Sequence, residues 1–287
     1  MNKWPWQGIE VRVHVLFWLV ILSSVLTGRF MEVITLFVLV IIHEMGHITA
    51  AHSFGWRIRR MELLPFGGVA HTDEWGTVSA REEIVVALAG PFHNVMMVLA
   101  GILFFKAGWW SGDWTEYFIQ GNTLMAGFNL LPVYPLDGGR ILQSLLSYGM
   151  PYRKCILWTL WGSLIVALSF FLYAFTTAET VHLHLCMIAL FLAYANWMAL
   201  KQKEFQYVRF LMHRKECPPP DSARIVQLNV CREEPLYAVL KRMRKEAYHV
   251  FVVRDRQGRL CSLPEEVLLG RFFDDKAASS MIGDLVG

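Results

Sequence analysis

The chain has few charged residues and few cysteines. Charged residues make up 18% of its 287 positions, and the formal net charge is only +3. Because this charge is small, and Lys and Arg lie between apolar runs instead of along one stripe, the sequence does not indicate a nucleic-acid partner. The five cysteines form no Cys-x-x-Cys pair, so neither a disulfide framework nor a cysteine-based metal site is expected. The first apolar run lacks a small-residue cleavage site, which favours a membrane span over a signal peptide.

Apolar residues, by contrast, dominate the composition. They make up 55% of the chain, and the mean hydropathy of +0.37 is typical of membrane proteins. The sequence therefore predicts a membrane α-helical protein with about six spans, the fourth of them broken in its second half by the prolines and glycines of "NLLPVYPLDGG". Each apolar run approaches the ~20 residues needed to cross a bilayer. The runs lie at 13–28, 31–53, 83–105, 117–136, 156–176 and 181–200.

The basic residues predict the orientation of these spans. If the N terminus is cytosolic, every cytosolic segment carries Lys or Arg, whereas the opposite loops offer only Arg29 and Lys106. Because positive residues accumulate on the cytosolic side, we expect both termini in the cytosol. The cytosolic set is then Lys3, Arg12, Arg57, Arg59, Arg60, Arg81, Arg140, Arg153, Lys154, Lys201 and Lys203.

The composition changes after residue 200. We predict a transmembrane domain at 1–200, a linker at 201–220 that ends in "CPPP", and a small soluble α+β domain at 221–287. Alternating apolar residues predict strands in "ARIVQLNV", "YHVFVVRD" and "RLCSL". A helix is expected in "PLYAVLKRMRKEA", and a second, short helix at 264–269.

The stretch "VLVIIHEMGHITAAH", residues 38–52, places ionisable side chains inside an apolar run. A charge at a helix centre in a bilayer costs about 3 kcal/mol on translocon scales, so such groups usually mark function. His43 and His47 are four residues apart, which places both imidazoles on one helix face, where they can bind one cation. Glu44 stands beside them as a base for water. The pattern predicts a zinc site that hydrolyses amides, and the alternative is a pair of histidines hydrogen-bonded within a helix bundle.

A third zinc ligand has to come from another segment, and the candidates are His52, His93 and Asp137. Asp137 is preferred because it lies in the broken fourth run, where irregular backbone at membrane depth must be buried by protein or reached by water. On local sequence alone, capping of a helix that starts near Gly139 explains Asp137 equally well. Depth favours the metal, because His47 and Asp137 both fall toward the cytosolic ends of their runs.

Three motifs together resemble those of one protein family. "HEMGH", "AGPFHN" at 89–94 and "NLLPVYPLDGG" at 129–139 occur in the order found in the site-2 protease family of intramembrane zinc metalloproteases. The resemblance covers about residues 1–200 and implies a zinc cofactor. The residues that it assigns are the zinc ligands His43, His47 and Asp137, the catalytic Glu44, and the substrate-contacting Asn129 and Pro135.

Asn94 is similar to an asparagine in the third span of the same family. For Asn94 and for Asn129, packing between helices is an equally good explanation, because amide side chains often hydrogen-bond across membrane helices.

The segment "MELLPFGGVAHT", residues 61–72, follows the HEMGH helix without a helical pattern. Its glycines and flanking apolar residues predict a short hairpin that dips into the membrane. An exposed edge of that hairpin could add an unwound substrate as another strand. Gly67, Gly68 and Val69 match the Gly-Gly-Val strand of the family, and an ordinary turn between two spans is the alternative.

The 221–287 segment is similar to a CBS domain, with the β-α-β-β-α order given above. That combination resembles the sporulation branch of the family, whose members release a sigma factor from its membrane-associated pro-sequence. The resemblance implies a membrane around the forespore, a catalytic side facing the mother-cell cytosol, and membrane partner proteins that inhibit the protease. The sequence contains one visible copy of this CBS-like domain. The resemblance therefore implies either that the domain binds an adenine nucleotide such as ATP or that it serves in dimerisation or substrate docking.

Two other functions are compatible with the same residues. A membrane metal-ion transporter could use them as a transit site, but transporters usually have paired broken helices and this chain has one. A non-catalytic metal-binding scaffold would not need Glu44. The sequence therefore favours an intramembrane zinc endopeptidase that cleaves a membrane-tethered protein near the cytosolic face.

Overall fold

Among the residues that the structure describes, long helices and two small three-stranded sheets make up the fold. The chain divides into two compact units, one formed by 1–132 with 136–141 and the other by 133–135 with 142–287. The predicted domains at 1–200 and 221–287 stay predictions. The computed structural model describes residues 10–13, 21–22, 24–28, 30–64, 67–72, 74–176, 182–220, 223–254, 260–275 and 280–285.

In its described elements, the first unit combines a sheet with three long helices and the start of a fourth. Helix α1 packs on α2, and α2 packs on α3. The sheet has the order β1-β2-β3, with β1 parallel and β3 antiparallel to β2. The predicted hairpin is thus present as β2 and β3, joined by an N-terminal strand that the sequence pattern did not indicate. The elements are β1 (Glu10–Val13), α1 (Phe30–Ser53), β2 (Ile58–Leu64), β3 (Gly67–Thr72), α2 (Ala80–Lys106), α3 (Gly112–Asn129) and α4 (Asp137–Ser147).

Four of the six predicted spans are confirmed as helices long and apolar enough to cross a membrane. The fourth predicted span, 117–136, is shorter than expected, because α3 ends at Asn129 and regular helix resumes only at Asp137. The break coincides with two prolines, which lack an N–H and disfavour a helical residue before them. Half of the first predicted span, 13–28, lies outside the described residues. The four helices are Phe30–Ser53, Ala80–Lys106, Tyr152–Thr176 and Leu185–Glu216.

The second unit is built on two long helices that pack along each other, α5 and α6. A second sheet of order β4-β5-β6 follows, in which β5 is parallel to β4 and antiparallel to β6. The described elements have the predicted β-α-β-β-α order, while a CBS identity, a bound adenine nucleotide and dimerisation stay predictions. The elements are α5 (Tyr152–Thr176), α6 (Leu183–Glu216), β4 (Arg224–Val230), α7 (Leu236–Leu240), β5 (Ala247–Arg254), β6 (Leu260–Pro264) and α8 (Glu265–Phe273).

Two local predictions differ from the structure. Residues 201–216, predicted as part of a linker, continue α6, because their Lys, Gln, Glu and Arg side chains favour helix. The helix ends where Cys217 precedes three prolines. The helix predicted in "PLYAVLKRMRKEA" is limited to α7, because residues 241–246 form turns that lead into β5 at Ala247.

A buried ion pair attaches the end of α6 to the second sheet. Arg214 Nε lies 2.7 Å from Glu265 Oε1, and His249 Nδ1 lies 3.0 Å from Glu265 Oε2. Although burial raises it, the contacts with His249 and Arg214 leave the pKa of Glu265 below its ordinary value. The carboxylate therefore stabilises the fold above its unfolded-state pKa, and this contribution is lost as the pH falls through the lower folded-state pKa.

Candidate metal centre

Helix α1 places His43 and His47 one turn apart on the same face, as their four-residue spacing requires. Both side chains are buried, and their Nε2 atoms lie 3.2 Å apart. Glu44 is buried beside them, and one metal-binding atom from each of the three residues lies within 4.8 Å of the others. The HEMGH residues therefore form one compact cluster at a single level of α1.

Asp137, the first residue of α4, adds a carboxylate to this cluster. Its Oδ2 lies 3.3 Å from His43 Nε2 and 3.2 Å from His47 Nε2. His93 instead hydrogen-bonds to the backbone of its own helix, and His52 is exposed in the last turn of α1. Of the three candidate ligands, Asp137 is the one beside both histidines. It also begins a helix, so the capping role and the ligand role are compatible.

Hydrogen bonds on the far sides of the two rings determine which nitrogens face Asp137. His47 Nδ1 lies 2.8 Å from the carbonyl oxygen of Val86, which can only accept, so Nδ1 carries the proton. His43 Nδ1 lies 2.5 Å from Asn94 Oδ1, which likewise accepts. Both Nε2 atoms therefore present lone pairs when the rings are neutral. They face Asp137 Oδ2, a buried oxygen with no hydrogen-bond donor among the described residues.

Three electron-pair donors thus face one another with no proton between them. Their separations of 3.2, 3.2 and 3.3 Å form a nearly equilateral triangle. Ligand atoms around a tetrahedral zinc ion, each about 2.0–2.1 Å from the metal, are separated by about 3.3–3.4 Å. The donor types and the triangle both fit Zn²⁺, which His43, His47 and Asp137 would hold.

Helix α2 approaches the two histidines so closely that residue 90 has no room for a side chain. A Cβ at Gly90 would lie 2.5 Å from His47 Cε1 and 2.7 Å from His43 Cε1. Gly138, next to Asp137, is equally tight, because a Cβ there would overlap backbone carbonyl oxygens at the end of α3. Glycine at these two positions is therefore a packing requirement of the centre.

We expect Gly90→Ala to lower cleavage about 100-fold and to weaken zinc binding, because the added methyl group displaces both imidazoles and small displacements at a reacting centre are costly. Zinc content and cleavage of a membrane-tethered substrate measure the effect. Gly162→Ala is the matched control, since Gly162 lies inside α5 and its Cβ would meet nothing within 4 Å. Parent-like zinc content and cleavage in Gly90→Ala would contradict the close packing.

The predicted substrate-contacting residues occupy different elements. Gly67, Gly68 and Val69 begin β3, which pairs with β2 and lies against α1. Asn129 is the half-buried last residue of α3, and Pro135 lies in the connection between α3 and Asp137. Asn129 and Pro135 thus lie in the segment that leads from α3 to Asp137, whereas Gly67, Gly68 and Val69 lie in a strand that contacts the histidine-bearing α1.

Two side chains in the spans of the second unit hold the backbone of this connection. The Tyr134 N–H donates to Ser163 Oγ at 2.8 Å, and Asn196 Nδ2 donates to the Tyr134 carbonyl oxygen at 2.6 Å. Sequence reasoning missed Ser163, Asn196 and also Asn122, which is buried in α3. The sequence could have indicated all three residues, because a polar side chain inside an apolar run needs a hydrogen-bond partner in the bilayer.

Comparison with known proteins identifies relatives of this chain. Residues 31–111 match peptidase family M50. The chain is also 29% identical over 286 residues to stage IV sporulation protein FB of Bacillus subtilis (strain 168), covering 100% of this chain and 99% of that protein. The chain is a metalloprotease with a peptidase M50 domain. The family resemblance inferred from its motifs is confirmed.

Two further similarities concern the M50 domain. A zinc metalloprotease of Methanocaldococcus jannaschii is 33% identical over 160 residues, which cover 52% of this chain and 46% of that protein. The solved structure of a site-2 protease from Methanocaldococcus jannaschii matches with a TM-score of 0.54 and 27% identity, covering 69% of this chain and 93% of that one. Together with the four apolar helices, these similarities identify an integral membrane protein of the zinc metalloprotease type.

Proposed function

We propose that the protein is an intramembrane zinc endopeptidase in which His43, His47 and Asp137 hold the metal and Glu44 transfers protons. The observation that carries the proposal is the triangle of three lone-pair donors at zinc-ligand separations, with a buried carboxylate beside it. The M50 domain supports it independently. A hydrogen-bonded histidine pair would place a proton between two of these atoms, and their outer hydrogen bonds leave none there.

When bound, zinc supplies a Lewis acid that activates water and polarises the scissile carbonyl. Glu44 accepts the proton that the attacking water loses. It then delivers this proton to the amide nitrogen, because an amine leaves only after protonation. The histidines keep their rings fixed during both transfers through the hydrogen bonds to Val86 and Asn94.

The proposed substrate is a sigma-factor precursor held at the membrane by its pro-sequence and cleaved near the cytosolic face. Support for a sporulation role comes from the similarity along the whole chain to a stage IV sporulation protein. Support for the side of cleavage comes from Arg57 and Arg140, which follow the ligand-bearing segments and favour the cytosol. The corresponding location is the membrane around the forespore, with both termini in the mother-cell cytosol and with inhibitory membrane proteins as partners.

Removing the metal tests the proposed function. The full-length chain purified in detergent should contain about one zinc ion per molecule, as a single three-residue site implies. Dialysis against 1,10-phenanthroline should abolish cleavage of a membrane-tethered sigma-factor precursor, and Zn²⁺ should restore it where Mg²⁺ does not. Cleavage by the zinc-free protein would refute the proposal. Zinc uptake into proteoliposomes without cleavage would favour the transporter alternative.

We further propose that β3 holds the substrate. A peptide bond inside a helix is shielded by its own hydrogen bonds, so a helical substrate must be extended before water can attack. Among the described strands, β3 is at the edge of its sheet and has β2 as its neighbour. An added substrate strand would be aligned there by backbone hydrogen bonds. The contact between β3 and α1 supports this role, because α1 carries the two histidines.

Proline at position 68 should impair cleavage about 10-fold without loss of zinc, because Gly68→Pro removes one backbone donor, worth about 0.5–1.5 kcal/mol, and fixes φ. Gly68→Ala is the matched control, since alanine keeps the N–H. A second measurement uses cysteines at 67–70 in the Glu44→Gln background, which should crosslink to residues flanking the scissile bond. Strong crosslinks from around Asn129 with none from 67–70 would rule out β3 as the substrate clamp.

A further inference from the structure

Two buried asparagine side chains connect His43 to the backbone of α3 through hydrogen bonds. His43 Nδ1 contacts Asn94 Oδ1 on α2, and Asn94 Nδ2 donates to Asn122 Oδ1 on α3 at 3.0 Å. Asn122 Nδ2 in turn donates to the carbonyl oxygen of Phe118 at 2.9 Å. Both asparagines are 0% exposed, so water does not compete for these hydrogen bonds.

The hydrogen bonds in this series all run in one direction, which the Phe118 carbonyl at its end determines. A carboxamide can turn over and exchange its donor and acceptor ends with little change in shape. The Phe118 carbonyl can only accept, so it selects the orientation in which Asn122 directs Nδ2 toward it and Oδ1 toward α2. That oxygen accepts from Asn94 Nδ2, which leaves Asn94 Oδ1 for His43. The proton of His43 is thereby held on Nδ1.

We propose that Asn122 is a positioning residue that fixes the tautomer of His43 by orienting the amide of Asn94. His47 needs no positioning residue to fix its tautomer, because a backbone carbonyl contacts its Nδ1 directly. Without Asn122, the Asn94 amide can turn over and donate to His43 Nδ1. The ring proton then moves to Nε2, between His43 and Asp137, where it competes with the metal. This inference rests on the proposed binding of zinc at His43.

Two substitutions separate orientation from packing. Asn122→Leu has similar size but offers Asn94 no acceptor, and it should weaken zinc binding about 10–100-fold, as losses of outer hydrogen bonds to metal-binding histidines do. Asn122→Asp keeps an oxygen that accepts from Asn94 in either protonation state, so zinc affinity should stay within a few-fold of the parent. Competition with a chelator measures affinity on the full-length protein in detergent. The d–d absorption of a Co²⁺-substituted sample reports the ligand geometry.

A double-mutant cycle with Asn94→Asp provides the decisive comparison. Both oxygens of a carboxylate accept, so no orientation is needed, and Asn122→Leu should then cost no further zinc affinity. Equal losses of zinc affinity from Asn122→Leu in both backgrounds would overturn the inference and leave only a role in helix packing. Parent-like zinc affinity in Asn122→Leu alone would overturn it as well. A parent protein that binds no zinc would instead refute the proposed function. Thermal unfolding of the metal-free variants shows whether each still folds.

Discussion

The Glu44→Gln variant is expected to keep its zinc and to cleave a membrane-tethered precursor roughly 10²–10⁴-fold more slowly than the parent. Glutamine preserves the size of the side chain and its place beside the two histidines. Its amide, however, cannot accept the proton of the attacking water or return one to the leaving nitrogen. Since the three atoms that form the donor triangle belong to other residues, metal content should be unchanged.

The measurement combines zinc content with single-turnover cleavage of the same preparation. Glu83→Gln is the matched control, because Glu83 is also a buried glutamate and accepts a hydrogen bond from the backbone N–H of Gly76, which glutamine can replace. This control should cleave like the parent. If Glu44→Gln also cleaves near the parent rate, Glu44 is not the base; if it loses zinc, Glu44 contributes to metal binding instead.

The parts of the centre that follow from local spacing were predictable from the sequence. His43, Glu44 and His47 share one helix, so their relative positions depend only on helix geometry. Asp137 is more than 80 residues away, and its side chain could be assigned only by combining depth in the membrane with the family resemblance. The structure places it beside both histidines, whereas the local sequence left helix capping and metal binding as equally good explanations.

The surroundings of the centre could not be predicted for two physical reasons. The Val86 carbonyl that fixes His47 is a backbone group, and any residue type could supply it. The need for glycine at position 90 depends on how closely α2 approaches α1, which is a tertiary distance without a local pattern. In the second unit, turns that lead into a paired strand replace the end of a helix that propensity favoured, while the charged residues after 200 extend a helix into the expected linker.

Asp137→Asn should lower the affinity for zinc at least about 100-fold. This variant tests the predicted zinc ligand for which the sequence left the most alternatives. The asparagine side chain has nearly the same shape, but a neutral amide oxygen is a weaker zinc donor than a carboxylate. Structural zinc sites gain about 10–16 kcal/mol from four ligands, so one ligand contributes roughly 2.5–4 kcal/mol, or about 10²–10³ in affinity. Chelator competition measures this loss, and cleavage at limiting zinc should fall with it.

The helix-capping interpretation of Asp137 predicts a different result. An acidic residue in the first turn of a helix typically stabilises it by about 0.3–1 kcal/mol, which would slightly lower thermal stability without changing metal affinity. Asp113→Asn is the matched control, because Asp113 lies in the first turn of α3 and is exposed. If Asp137→Asn resembled this control, binding zinc like the parent with only a small change in stability, Asp137 would be a cap and another side chain would complete the metal site. A loss of zinc in Asp137→Asn alone would establish that its carboxylate, beyond starting α4, holds the metal between the two histidines.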